Sequence, residues 1–168
     1  SAHRRSFGPR AASDEVLETV LATQRATPTG YVIPDLLDAA HPGWREAQVK
    51  SGRVDPALWA GEIASAQRRL DLVGLLGKQG IEVWGDAGWE ACRAQGARYM
   101  GRAGHNHHLR AIYAAGQIHV DIGRLYQSDI VTMRVFDVLA CGSFLIAEHN
   151  DALLDLFEPG VHLETWST

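Results

Sequence analysis

The chain has 168 residues, 46% of them hydrophobic and 21% charged, which is one domain's worth of sequence with enough apolar material for a real core. Sixteen Lys and Arg against 20 Asp and Glu give a net charge of −4, so there is no basic face to neutralise phosphates and no nucleic-acid partner is expected. Two cysteines, Cys92 and Cys141, exclude a disulfide framework and fit a reducing, cytoplasmic compartment. No apolar run approaches the roughly 20 residues that cross a bilayer, and the basic start SAHRRSFGPR is not followed by the apolar stretch of a secretory signal.

The opening stretch to Ala12 reads as frayed. Ser13-Asp14-Glu15 reads as a helix start, and Val16, Val20 and Leu21 give that helix an apolar stripe, ended by Thr27-Pro28-Thr29-Gly30. Residues 41–55 read as loops broken by short structure. From Pro56 a longer helical pattern runs through Leu58, Ile63, Leu70, Val73 and Leu76 and closes at Gly77 and Gly80, with Arg68 and Arg69 expected on its solvated side. After Gly80 short β-rich runs alternate with helical ones. IEVWG (81–85) precedes AGWEACRAQ, ARYMG (97–101) precedes HHLRAIYAA, QIHVDI (117–122) precedes MRVFDVLA, and SFLIAE (143–148) precedes DALLDLF. That alternation predicts an α/β fold, a Rossmann-like parallel sheet flanked by helices. In such sheets ligands bind beyond the carboxyl ends of the strands, so the residues there carry the search for function.

Beyond the first run, Gly85-Asp86-Ala87-Gly88 is either a plain structural turn or a place where backbone amides approach a ligand. Beyond the second lies Met100-Gly101-Arg102, then His105-Asn106-His107-His108. No Cys or carboxylate completes a zinc set there, so no metal is expected, and Asn106 reads as a helix N-cap. Beyond the third comes GRLYQSDIVTMRVFDVLACG. Asp129 and Asp137 are eight apart, about 80° around one helix, which suits Asp129 in the loop and Asp137 inside the helix. Arg134, three before Asp137, is expected to pair with it. The pair is either a surface ion pair worth at most about 1 kcal/mol or an Arg for phosphate beside a carboxylate for a ribose diol. Cys141 reads as a small buried thiol, and the five tryptophans as core or half-buried anchors.

Asp129, Thr132, Arg134, Phe136, Asp137, Ala140, Cys141 and Gly142, followed by Leu156-Phe157-Glu158-Pro159-Gly160, form a pattern that resembles the nucleotide-sugar-binding half of glycosyltransferases built from two facing Rossmann domains, the GT-B architecture. It is similar in particular to the family 1 group that includes the spore-maturation protein CgeB. The likeness covers residues 60–166; residues 1–55 form an unassigned helical and loop extension, and 56–168 a donor-binding domain shortened relative to the family.

The resemblance implies a nucleoside-diphosphate sugar as substrate, an acceptor hydroxyl of unknown identity, and no cofactor or metal. It implies that Asp137 takes the place of a glutamate that binds ribose and that Asp129 lies near the transferred sugar. Arg134 and Thr132 would face the diphosphate or sugar, which makes Asp129 and Arg134 the catalytic candidates. The turn at Gly101 and Arg102 would grip the base, Gly85 and Asp86 would form a donor-side turn, and Gly142 would close the motif. The acidic pair is Asp/Asp where the family has Glu/Glu, and no basic pair for the diphosphate is recognisable upstream. The family's cleft needs an acceptor-side Rossmann domain, so a partner domain in a longer parent chain is expected. The rival expectation is a non-catalytic Rossmann-like binding or assembly module.

Overall fold

Leu17, Val20 and Leu21 recur three and four residues apart, and in the computed structural model, which describes residues 14–104 and 107–167, they form the buried face of α1 (Asp14–Ala26). The opening residues to Ala12, Ser13, His105 and Asn106 lie outside the described residues. Buried Gln24 fixes the turn after α1: its amide nitrogen donates to Thr27 O (3.1 Å) and Gly30 O (3.0 Å), and its carbonyl accepts from Val32 N (3.0 Å). Next comes α2 (Ile33–Ala40), with Pro34 in its first turn, where a missing N–H costs no helical bond. Its Ile33 and Leu37 are fully buried.

The loop region expected at 41–55 contains α3 (Trp44–Lys50). The long helical pattern is α4 (Pro56–Leu76), closed by a 3-10 turn at Gly77–Gln79. Asp55 starts α4 by accepting from Ala57 N (2.8 Å). It also takes two hydrogen bonds from Arg45, Nε at 3.0 Å and Nη2 at 2.9 Å, while Arg45 Nη1 reaches Asp38 at 2.5 Å. The Arg45 hydrogen bonds hold the Asp55 carboxyl below the usual carboxylate range against the opposing effect of burial.

The described residues divide into two compact units, one of residues 14–68 with 124–126, the other of 69–104, 107–123 and 127–167. The core of the first joins Leu17, Val20 and Leu21 to Ile33, Leu37, Ala57, Ala60, Ile63 and Ala64. Tyr31 packs there too, and burial pushes its hydroxyl well above the ordinary phenol range as it donates to Ala57 O (2.6 Å). Buried Ala60, Ile63, Ala64 and Ser65 span about 200° of α4 at 100° per residue. A helix covered on so wide an arc has little solvated side, and Arg68 and Arg69 are half-buried rather than solvated.

The second unit holds the strands. β1 (Glu82–Trp84) pairs in parallel with β2 (Arg98–Gly101), with a shift of register after Val83. Between them, Ala87–Gln95 is 3-10 rather than α-helical; the inward residues Trp89 and Cys92 are three apart, the spacing that a three-residue turn stacks. After α5 (His107–Ala115), β3 (Ile118–Asp121), β4 (Phe144–Glu148) and β5 (Glu164–Trp166) form a second parallel sheet in that order. The α/β alternation is therefore present with parallel pairing throughout. Its strands form two sheets instead of one, and β5 adds a strand that the sequence pattern does not announce. The crossovers of the second sheet are α6 (Met133–Ala140) and the short α7 (Asp151–Leu154). Val135 and Val138 of α6 pack on Leu145, Ala147, Leu153 and Leu163, which turns Arg134 and Asp137 outward.

Candidate functional site

β3 ends on Asp121, a carboxylate only 8% exposed at the carboxyl end of a parallel strand. A buried anion needs charge and hydrogen bonds to offset its lost hydration. Arg134 supplies both, donating Nε–H to Asp121 Oδ1 at 2.7 Å while half of its own side chain stays exposed. Its terminal nitrogens make no hydrogen bond among the described residues. Thr132 is the N-cap of α6, yet its hydroxyl does not cap the helix; it faces Asp121 Oδ1 at 3.5 Å, the outer limit of a hydrogen bond. The α6 N-terminus, with its partial positive charge, is thus left without a side-chain cap beside an outward guanidinium.

Two neighbouring strands fix the same corner. The indole Nε1 of Trp166, the last residue of β5, donates to Asp121 O (3.2 Å). Glu148, the last residue of β4, accepts from Gly123 N (2.9 Å).

The expected Arg134–Asp137 pair is replaced by Arg134–Asp121. Asp137 is exposed on α6 and solvates itself, whereas Asp121 cannot, so the one guanidinium goes to the buried acid. Asp137 nevertheless lies in the same neighbourhood. The Tyr113 hydroxyl is pushed up by burial first and by the Asp137 charge second, with Arg134 opposing and Asp121 adding. Asp129 sits in an exposed turn, where Ile130 N donates to Gln127 O (3.4 Å).

The remaining candidates are more dispersed. Asp86 caps the 3-10 segment, its carboxylate accepting from Gly88 N (2.8 Å). Gly85 has a packing reason to be glycine, because a Cβ there would meet the Trp89 ring at 2.4 Å. Gly101 closes β2 at φ +87°, a conformation few other residues adopt, and its carbonyl accepts from Gly85 N (2.9 Å). Arg102 follows it, exposed. Gly142 follows α6 and donates to Leu139 O (2.9 Å).

Structure therefore brings Thr132 and Arg134 onto Asp121, with Asp137 exposed on the same helix as Arg134, and leaves Gly85, Asp86, Gly101 and Arg102 at the ends of the other sheet, with no described hydrogen bond joining the groups. Asp121 was hidden inside a β-rich run; its place as the last polar residue of a strand is the signal that points to it. Cys141 is half-buried at the end of α6, and Cys92 is the fully buried thiol. His108 is engaged, its Nδ1 accepting from Gly104 N (3.0 Å) and its ring standing edge-on to Trp84. Among the described residues no group of three His, Cys, Asp or Glu is placed to hold a metal, and no helix is long and apolar enough to cross a membrane.

No curated protein and no solved structure matches the chain. Residues 62–168, well over half of the sequence and all of the strands just described, match the family model described as glycosyl transferase-like, and the chain belongs to that family.

Proposed function

We propose that residues 56–168 bind the nucleoside-diphosphate sugar of a CgeB-like glycosyltransferase of GT-B architecture, facing an acceptor-side Rossmann domain elsewhere in the parent chain. The observation that carries this reading is the Asp121–Arg134 pair at the uncapped start of α6, beyond the end of a parallel strand. A guanidinium held by Nε keeps its two terminal nitrogens for an anion, and first-turn amides of a helix suit phosphate oxygens. In this reading Arg134, with Thr132 beside it, receives the diphosphate, Asp137 takes the ribose hydroxyls and Asp129 the transferred sugar. Gly101 and Arg102 border the base, Gly85 and Asp86 form the outer turn, and Gly142 ends the helix that carries the site.

In the reaction, the acceptor oxygen attacks the anomeric carbon and gives up its proton. The bond from that carbon to the diphosphate breaks, and its electron pair stays on the departing phosphate oxygen. Arg134 and the α6 amides stabilise the charge that develops there, the task that preorganised donors perform best. No metal or cofactor enters this scheme. Two free cysteines accord with a reducing, cytoplasmic setting.

A thermal-shift panel of UDP-, GDP-, ADP- and dTDP-sugars tests the reading. One donor should raise the melting temperature of wild type and fail to do so for Arg134→Gln and Asp137→Ala, because a ligand that binds only the folded state stabilises it. Losing the Asp137 contact should weaken binding by roughly 10- to 100-fold, the range for a hydrogen bond to a charged group. No shift with any donor sinks the reading. Binding without sugar transfer by the full parent chain favours a non-catalytic module.

A further inference from the structure

The C-terminal ends of β3, β4 and β5 are tied together in a way that strand pairing alone does not provide. Asp121 stands opposite Ala147, and Glu148 opposite Trp166, so β4 separates Asp121 from β5. Two strand spacings put β3 and β5 roughly 9.6 Å apart. The Trp166 indole bridges that gap and donates to Asp121 O at 3.2 Å. The backbone carbonyl of the same Trp166 accepts from His149 N (2.9 Å), which turns the end of β4 toward β5. Glu148 meanwhile holds Gly123 N at 2.9 Å, two residues past Asp121. The last residue of β3 is thus gripped at its carbonyl by β5, and the turn after it by β4, while its carboxylate carries Arg134.

We propose that Trp166 is a positioning residue for Arg134, acting through Asp121. Its indole N–H fixes the peptide that aims the Asp121 carboxylate, and that carboxylate sets the outward face of the guanidinium. Trp166 touches no ligand in this scheme. The inference rests on the donor reading for the identity of that ligand, a nucleoside diphosphate, but its structural half stands apart from it. A side chain held at one nitrogen presents its others in a narrow range of directions, and directional hold is what a bidentate contact with phosphate requires. The ring of Trp166 is half-buried, so replacing it by phenylalanine keeps the apolar body and removes the donor.

The test compares wild type, Trp166→Phe and Val83→Ala, the last a packing variant in a separate apolar cluster of the same unit. The Arg134 Nε–H resonance is followed by NMR without ligand, and affinity for UDP, GDP, ADP and dTDP is then measured by titration. Trp166→Phe should speed solvent exchange of the Arg134 Nε–H and weaken the best-binding nucleotide by about threefold to tenfold, the loss of one neutral hydrogen bond. Val83→Ala should lower the melting temperature and leave both unchanged. An Arg134 signal in Trp166→Phe that matches wild type overturns the proposal, as does an altered signal with unaltered nucleotide affinity. A wild-type chain that binds none of the four nucleotides overturns the donor reading instead, and is told apart because the Arg134 signal is read before any ligand is added.

Discussion

Removing either charge of the Asp121–Arg134 pair breaks the same ion pair, yet the two losses should be unequal. Asp121 is 8% exposed, whereas 51% of the Arg134 side chain meets solvent. In Arg134→Ala a carboxylate remains in place with its counter-charge gone and little access to water. Fully buried charges stranded in this way cost about 3–5 kcal/mol, and the open side of this pair reduces that to about 2–3 kcal/mol. In Asp121→Asn the guanidinium left behind is already half solvated, and the asparagine oxygen still accepts from Nε. That change should cost about 1 kcal/mol, the difference between a charged and a neutral acceptor for a half-exposed guanidinium. The double variant should cost less than the sum, by about 1 kcal/mol or more, because once the acid is gone the arginine has nothing left to neutralise. Urea unfolding combined with hydrogen exchange of peptides from β3 and α6 reads all three values in the unit that contains them. A loss in Asp121→Asn equal to or larger than that in Arg134→Ala would refute the reasoning, since it would mean that the acid is not the partner in need.

The other expectations concern packing and capping. Asp55→Asn should lower stability by about 1–2 kcal/mol near neutral pH, from the weakened Arg45 pair and cap of α4. Because the Asp55 folded-state pKa lies below its unfolded value, the contribution is present above the unfolded value and is lost as pH falls through the folded one. Melting curves from about pH 6 to about pH 2.5 should show wild type and Asp55→Asn converging in acid, and a constant gap would contradict the assignment. Gly85→Ala drives a methyl to within 2.4 Å of the Trp89 ring and should cost about 1–3 kcal/mol, seen as a lower melting temperature. Gln24→Leu removes the partner of three backbone groups in the turn after α1 and should cost about 1–3 kcal/mol in urea unfolding.

Elements with a strong period and clear end signals were legible in the sequence. Helix α4 begins at Pro56 and ends before Gly77, where proline, glycine and the apolar stripe all agree, and α6 spans the segment MRVFDVLA, where the apolar stripe runs up to Gly142. The elements that escaped are those whose local signal is short or conflicting. Helix α2 carries a proline in its second position, and its buried Ile33 and Leu37 are too few to establish a period. Strand β5 has three residues, Glu-Thr-Trp, and is held by pairing with β4, a partner that no local pattern reveals. The 3-10 segment after β1 has the composition of an α-helix, and its inward Trp89 and Cys92, three apart, share a face in either helix type, so the local pattern does not tell the two apart.

The place of Arg134 and Asp137 on one helix was legible in the sequence, and the partner that Arg134 takes was not. Helical spacing puts Arg134 beside Asp137, and that inference is sound for an isolated helix, where neighbours three residues apart compete only with water. In the folded chain the competitor is a carboxylate with almost no water of its own. Desolvation makes an acid at the end of a strand a far stronger claimant on a nearby guanidinium than an exposed acid one turn away. Asp121 is 13 residues before Arg134, so nothing local connects them; only the return of the chain from β3 through the loop to α6 does. The consequence for function is specific. An Arg134 spent on Asp137 would present a neutralised surface pair, whereas an Arg134 anchored from below by Asp121 leaves both the outer guanidinium nitrogens and the Asp137 carboxylate facing solvent, one turn apart on α6. In the donor reading proposed above, a cationic and an anionic group exposed side by side would meet a ligand that carries phosphate next to a diol. The buried acid that the sequence concealed is thus what keeps both of the residues it announced available.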